Sequence, residues 1–227
     1  MRAIRNMLKR LRTDQSGLSM AELLVAGILT VIVFAVMGTM FMQVAKLTTT
    51  SNQVAGSNKN ATNAANGITS VVRVATNVAR LNNPAPLLAI EAGSNKTTLI
   101  VYSLSNTSPT VPAPTKVTFS YDSANARITE TRCTGTLSGS YYSNFTTCTP
   151  FRVIGNDIAY TAAEQLFTYR DVNGVIIPMS GNLTDTQRAL VASIVVTVRV
   201  LPTAPGSRVS VVTNTVVLRN IGLDTGT

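Results

Sequence analysis

Gly17-Leu18-Ser19-Met20-Ala21-Glu22-Leu23-Leu24-Val25, continued by AGILTVIVFAVMGTMFM over residues 26–42, is the stretch on which the reading of this chain turns. The apolar run opens at Leu23, closes at Met42 and carries no charge, with Thr30, Gly38 and Thr39 as punctuation. At about 1.5 Å per helical residue it reaches roughly 30 Å, the thickness of a bilayer's hydrocarbon. Upstream lie Arg2, Arg5, Lys9, Arg10 and Arg12 against Asp14, whereas Lys46 is the first charge beyond the run. That bias places the N-terminus in the cytoplasm and the bulk of the chain outside. A secretory signal has an apolar region of about 7–15 residues and an A-x-A-like cleavage site. Here the run is longer and is followed by Gln43-Val44-Ala45. A signal anchor holding an exported binding domain, an adhesin for instance, is the plain reading of such a run.

Glu22 does not belong in a plain anchor. A charge in hydrocarbon costs about 2.5–3.5 kcal/mol on insertion scales, so this carboxylate needs a partner. A cut after Gly17 would supply one, because the new α-amino group of Leu18 would lie one helical turn from Glu22. The macrodipole also favours a carboxylate near a helix N-terminus. At an effective dielectric of about 20, opposite charges about 4 Å apart attract by about 4 kcal/mol, which offsets much of the burial cost.

In its order of Gly17, a large apolar residue, Ser19, Met20, any residue, Glu22 and an apolar helix behind a basic leader, the chain resembles type IV pilins and type II secretion pseudopilins. The resemblance implies that a prepilin peptidase cuts between Gly17 and Leu18 and N-methylates Leu18. It further implies that Glu22 neutralises the N-terminal amine of a neighbouring subunit as the inner-membrane machinery assembles a helical filament. Many major pilins kink this helix with a Pro; here Gly38-Thr39 stands in that region and the first Pro is Pro84, which leans toward a minor pilin or pseudopilin.

Downstream, KLTTTSNQVAGSNKNATNAANGITSVVRVATNVARL has a linker's composition. Its periodicity gives another answer. Val44, Leu47, Ser51, Val54, Asn58, Ala61, Ala65, Ile68, Val72, Ala75 and Ala79 alternate at spacings of 3 and 4, one helical stripe. The spacing predicts a helix from Ser19 to Leu81, with Gly38 and Gly56 as places where it could break and with Asn82-Asn83-Pro84-Ala85-Pro86 ending it. From Leu87 the period is two, and strands are expected at 87–90, 97–104, 116–122, 126–133, 151–159, 166–170, 175–178, 190–201 and 208–219. Hairpins are expected at 119–129 and 167–177, and a long one closes the chain around Pro202 to Gly206. The expected fold is therefore α+β: a leader over 1–17, a transmembrane half-helix over 18–45, an amphipathic half over 46–82 and an antiparallel β-rich head over 83–227. The head weakly resembles W-type minor pilins and J-type pseudopilins in Tyr169-x-Asp171-x-x-Gly174 and in the closing Val216-Val217-Leu218-Arg219-Asn220. Asp171 and Gly174 also read as ordinary hairpin residues.

The 227 residues carry 19 Lys+Arg against 10 Asp+Glu, a formal +9, yet only 13% are charged where about 25% is usual. Hydrophobic residues make up 45%, which fits one membrane segment plus a globular part. With no His, neither a Ser-His-Asp triad, a Cys-His dyad nor a His-ligated zinc site can be built. Asp157 with Glu164, or Asp122 with Glu130, offers an acidic pair, but surface solvation is the better reading of them and no nucleophile or phosphate motif accompanies them. No enzymatic activity, cofactor or metal is expected. The basic residues beyond the leader, Arg73 and Arg80 among them, are scattered singly, so nucleic acid is not an expected partner. The Asn-x-Ser/Thr triplets at Asn60, Asn95, Asn106, Asn144 and Asn182 are those a Thr- and Asn-rich chain produces by chance. In an exported chain Cys133 and Cys148 are expected to form a disulfide, worth roughly 3 kcal/mol for a loop of about 15 residues. The Gly/Ser/Tyr loop it staples carries Tyr141, Tyr142 and Phe145, either for an outside contact or for covering the head's own core.

The sequence thus leads to a structural filament subunit, with membrane contact through the apolar run and with prepilin peptidase and other pilin subunits as partners. A secretion or competence pseudopilin is the near alternative; the signal-anchored adhesin is the distant one. As a precursor it would sit in the cytoplasmic membrane as a single-pass protein, and after processing in an extracellular or periplasmic filament.

Overall fold

The computed structural model describes residues 19–80, 83–104, 113–139, 141–161, 164–202 and 208–219. The fold is α+β, a long N-terminal helix and antiparallel sheets, as the patterning predicts. The helix, α1 (Met20–Arg73), runs without interruption through both Gly38 and Gly56. Two compact units divide the chain, Met1–Thr50 and Ser51–Thr227.

In the first unit the described residues are helix, and its large apolar side chains are exposed, Leu23 by 62%, Phe34 by 69% and Phe41 by 76%. Hydroxyls within the run satisfy themselves locally: Thr30 Oγ1 donates to the Ala26 carbonyl at 2.7 Å and Thr39 Oγ1 to that of Val36 at 2.8 Å. The Thr48, Thr49 and Thr50 hydroxyls do the same one turn back, at 2.9, 3.0 and 3.0 Å. Threonine is thereby admitted to an apolar helix without an outside partner.

In the second unit the expected stripe is buried from Ala61 to Ala75, whereas Ser51 and Asn58 are exposed. Ala61, Ala64, Ala65, Ile68 and Val72 share one core with Leu99, Val101, Val117, Phe119, Ile128 and the alternating Ile194, Val196, Val198 and Val200. Period-two patterning turns those strand residues to one face. A five-stranded sheet is built from β3 (Thr98–Ser103), β4 (Thr115–Asp122), β5 (Arg127–Ser138) and β6 (Tyr141–Cys148) in that order, with β7 (Arg152–Gly155) also on β5. A three-stranded sheet orders β10 (Ser210–Val217), β9 (Ser193–Val200) and β8 (Phe167–Arg170). β9 and β10 make the expected terminal hairpin, Ile194 opposite Val216; residues 203–207 of its turn lie outside the described residues. At Gly155 the helix packs tightly on β7, since an added Cβ would stand 3.0 Å from the Ala64 Cβ.

Several elements depart from the expected bounds. α1 ends at Arg73, not Leu81, because the next backbone groups pair with β3: the Thr76 N–H donates to the Tyr102 carbonyl at 2.9 Å and the Leu104 N–H to that of Val74 at 3.2 Å. Ala75 of the expected stripe is buried in a bridge to Ser103 instead, and Ala79 is exposed. β1 (Val78–Arg80) then pairs with β2 (Asn83–Leu87), so the proline segment expected to end the helix is an edge strand, a position that tolerates Pro. The strand expected at 87–90 reduces to a bridge of Ile90 with Val101, and that at 175–178 to one of Ile176 with Arg170. The strand expected at 151–159 shortens to β7. The strand expected from residue 190 starts at Ser193, because α2 (Asp185–Leu190) precedes it, capped reciprocally by Thr184 and Gln187. The span between the cysteines is not a loop: β5 and β6 occupy it as a hairpin.

Candidate functional site: the head of the long helix

Ser19 and Glu22 open α1 with a reciprocal pair. The Ser19 N–H donates to Glu22 Oε2 at 2.9 Å, and the Glu22 N–H donates to Ser19 Oγ at 3.2 Å. This capping box satisfies donors that a helix start otherwise leaves bare, and it holds the carboxylate at the positive end of the helix. The Ser-x-x-Glu spacing before an apolar run is the sequence signature of such a cap. Gly17 and Leu18, the expected cleavage and methylation positions, lie outside the described residues. Beyond Glu22, α1 is long and apolar enough to cross a membrane, and none of its most apolar stretch is buried.

On the second unit, Cys133 and Cys148 form the expected disulfide, and they are direct cross-strand partners on β5 and β6. Pairing register puts Tyr102, Lys116, Cys133 and Cys148 in one row across β3, β4, β5 and β6. Around Cys133 a small cluster gathers Val78, Tyr102 and Phe145. The Tyr102 and Phe145 rings are 4.9 Å apart, and Phe145 lies so close over Gly135 that an added Cβ would meet its ring at 2.7 Å. Phe145 therefore packs within the head, in this small cluster, while Tyr141 and Tyr142 stay half-buried. Burial first, then repulsion from and hydrogen bonding to Glu91, pushes the Tyr102 phenol well above its ordinary value.

Of the four acids in the suggested pairs, three are held by arginines. Asp122 holds Arg127 at 2.8 Å, Glu164 holds Arg199 at 2.9 Å, and Glu130 is clamped by Arg132 and Arg152. Glu130 is 3% exposed, not the solvated surface acid expected of it. Period two had placed it on the face of Ile128, which was the legible signal. The Asp122 carboxyl lies below its ordinary value, chiefly through the Asn125 amide, with Arg127 adding to it. Asp171 is a hairpin residue, its Oδ1 accepting the N–H groups of Asn173 and Val175 at 2.9 and 2.8 Å, and Gly174 sits at φ +77°. Tyr169 is a core residue whose hydroxyl donates to the Asn95 carbonyl at 3.0 Å, and burial raises its phenol. Among the described residues no group of three or more Cys, Asp or Glu is placed to hold a metal ion. Compared with protein-family models and with curated proteins, the chain matches none.

Proposed function

We propose that this chain is a structural subunit, of the minor type, of a type IV pilus or pseudopilus. A prepilin peptidase cleaves it after Gly17 and methylates Leu18, and it then assembles with other pilin subunits through its apolar helix. The observation that carries the reading is one carboxylate, Glu22, in the first turn of a helix whose large apolar residues from Leu23 to Leu47 are exposed. Such a surface is stable in a bilayer or against like helices, and in neither place does a lone carboxylate remain unpartnered. In the precursor Glu22 closes on the Ser19 amide; after cleavage the amine of Leu18 on a neighbouring subunit offers a full positive charge instead, a stronger partner. Head-to-tail packing that does not close on itself yields a filament. The chain would serve no catalytic function and need no cofactor. It would start as a single-pass cytoplasmic-membrane protein with its N-terminus inside and end in an extracellular or periplasmic filament.

Intact-mass and N-terminal peptide analysis, with and without an active prepilin peptidase, tests this. The expected product begins at methylated Leu18 and is lost in Gly17→Ala. An N-terminus that stays at Met1 beside an active peptidase overturns the reading in favour of a signal-anchored binding domain.

A further inference from the structure

β10 is the outer strand of the three-stranded sheet, and its edge away from β9 has no strand partner among the described residues. The register says which groups lie on that edge. The Leu218 N–H donates to the Ala192 carbonyl, so the even-numbered residues of β10 exchange their backbone hydrogen bonds with β9. The N–H and C=O groups of Val211, Thr213, Thr215 and Val217 therefore point to the open side, and the side chains of these four are exposed as well. Such a row of bare donors and acceptors is a template for one more strand.

Proteins blunt edges of this kind with Pro, charge, bulges, short length or a covering segment. The other sheet edges here are each treated in one of those ways. β2 carries Pro84 and Pro86, and β1 and β7 run only three and four residues. β3 is covered, since Tyr102 accepts from the Thr76 N–H and donates to the Ala89 carbonyl. β6 holds Asn144 at φ +49° and shifts register against β5. β8 is four residues long and is bridged from outside by Ile176. β10 has none of these guards: it pairs with β9 over eight consecutive residues without a shift, contains no Pro, and is uncharged from Val209 to Leu218. Val and Thr dominate it, a composition that favours extended pairing.

Charge decides between occupants. Arg208 and Arg219 stand at the two ends of β10, exposed and without an ion pair among the described residues. If two copies paired through this edge in full antiparallel overlap, Val211 would stand opposite Val217. Arg208 of each copy would then fall one residue from the position facing Arg219 of the other, so like charges would meet at both ends. An incoming strand with acids at its ends meets two unpaired guanidiniums instead. We propose that the open edge of β10 receives an extended segment of a partner protein as an added antiparallel strand, uncharged and β-branched in its middle and acidic at both ends. Main-chain hydrogen bonds to Val211, Thr213, Thr215 and Val217 hold it, and Arg208 and Arg219 select it by charge. The site does not rest on the filament reading, since it is built within residues 208–219 and each can fail without the other.

The test uses the full chain in detergent micelles. The probe is a blocked peptide of alternating Thr and Val with Asp at both ends, about ten residues long so that it reaches from one arginine to the other. Its counterpart carries Lys at both ends. Calorimetry and single-amide hydrogen exchange are the readouts. The Asp-ended peptide is expected to bind and to slow exchange about tenfold or more at the Val211, Thr213, Thr215 and Val217 amides, with Val212 and Asn214, already bonded to β9, little changed. Thr213→Pro removes one outward N–H and leaves the ladder to β9 intact, so it is expected to abolish binding at a nearly unchanged melting temperature. A probe N-methylated throughout its middle asks the same question without altering the protein, and is expected not to bind. Arg208→Gln with Arg219→Gln is expected to weaken the Asp-ended peptide about tenfold, the scale of two exposed ion pairs, and to remove its advantage over the Lys-ended one. The proposal is overturned by no saturable binding, by equal binding of the two peptides to the parent protein, by binding that survives N-methylation or a folded Thr213→Pro, or by protection that arises on β2 or β6 instead. Protection of the same four amides that grows with protein concentration in the absence of peptide makes a second copy the occupant, and overturns it as well.

Discussion

Glu130 is 3% exposed on its side chain, and its two partners are far less buried: Arg132 is 37% and Arg152 67% exposed on theirs. The consequence is an asymmetry. Glu130→Ala removes the carboxylate from two guanidiniums that already reach water, so a loss of about 1–3 kcal/mol is expected. Arg132→Ala with Arg152→Ala strands the carboxylate inside the sheet, and about 3–5 kcal/mol is expected. Urea denaturation of the three proteins orders them; equal losses would mean that the carboxylate rehydrates. Asp122 bears on pH instead. Its folded-state value is depressed, so its contribution is present above its ordinary value of 3.8 and is lost as pH falls below that through the depressed one. Acid-limb melting curves should flatten in Asp122→Asn relative to the parent, with no difference near neutrality beyond a constant offset. At this scale Glu22 was legible, because a lone carboxylate before an apolar run stands out in any composition. Glu130 was legible only through the face it shares with Ile128, because one acid in an alternating strand by itself looks the same whether that face meets water or a core.

Among the elements, the β5–β6 hairpin shows why local composition misleads. CTGTLSGSYYSNFTTC is rich in Gly, Ser and Thr, and only pairing across the disulfide, with Phe145 folded over Gly135, makes it two strands. The disulfide belongs to that hairpin and to the small Val78–Tyr102–Cys133–Phe145 cluster, not to the core on the helix. Cys148→Ser is therefore expected to lower stability by about 3 kcal/mol while α1 keeps its protection. Hydrogen exchange should show β5 and β6 opening first; equal loss of protection along residues 61–72 would sink this division. The early end of α1 has a related cause. Val71-Val72-Arg73-Val74 and Thr76 are β-branched enough to serve either as helix or as strand, and the open edge of β3, which no helical periodicity reports, decides for strand.

The whole chain joins two surfaces with opposite requirements. Residues up to Leu47 expose Leu, Ile, Val, Phe and Met side chains, whereas from Ala61 the same helix closes a core with both larger sheets. The compact unit Ser51–Thr227 contains every residue of that core, so its stability does not draw on the apolar run. The first helical turns it retains, with Gly56 and several Asn and Ser, have little intrinsic helix propensity and are expected to fray up to about Ala61 when the upstream helix is removed. Residues 51–227 are therefore expected to be soluble and monomeric without detergent, and to melt cooperatively at the temperature of the full chain's head in micelles. The full chain without detergent is expected to associate, because an exposed apolar helix of this length finds no other cover in water. Sedimentation velocity and melting of both forms measure this. A 51–227 fragment that lacks a cooperative transition would show that the helix upstream of Ser51 holds the head together, and the division into an apolar segment and a self-sufficient head would fall.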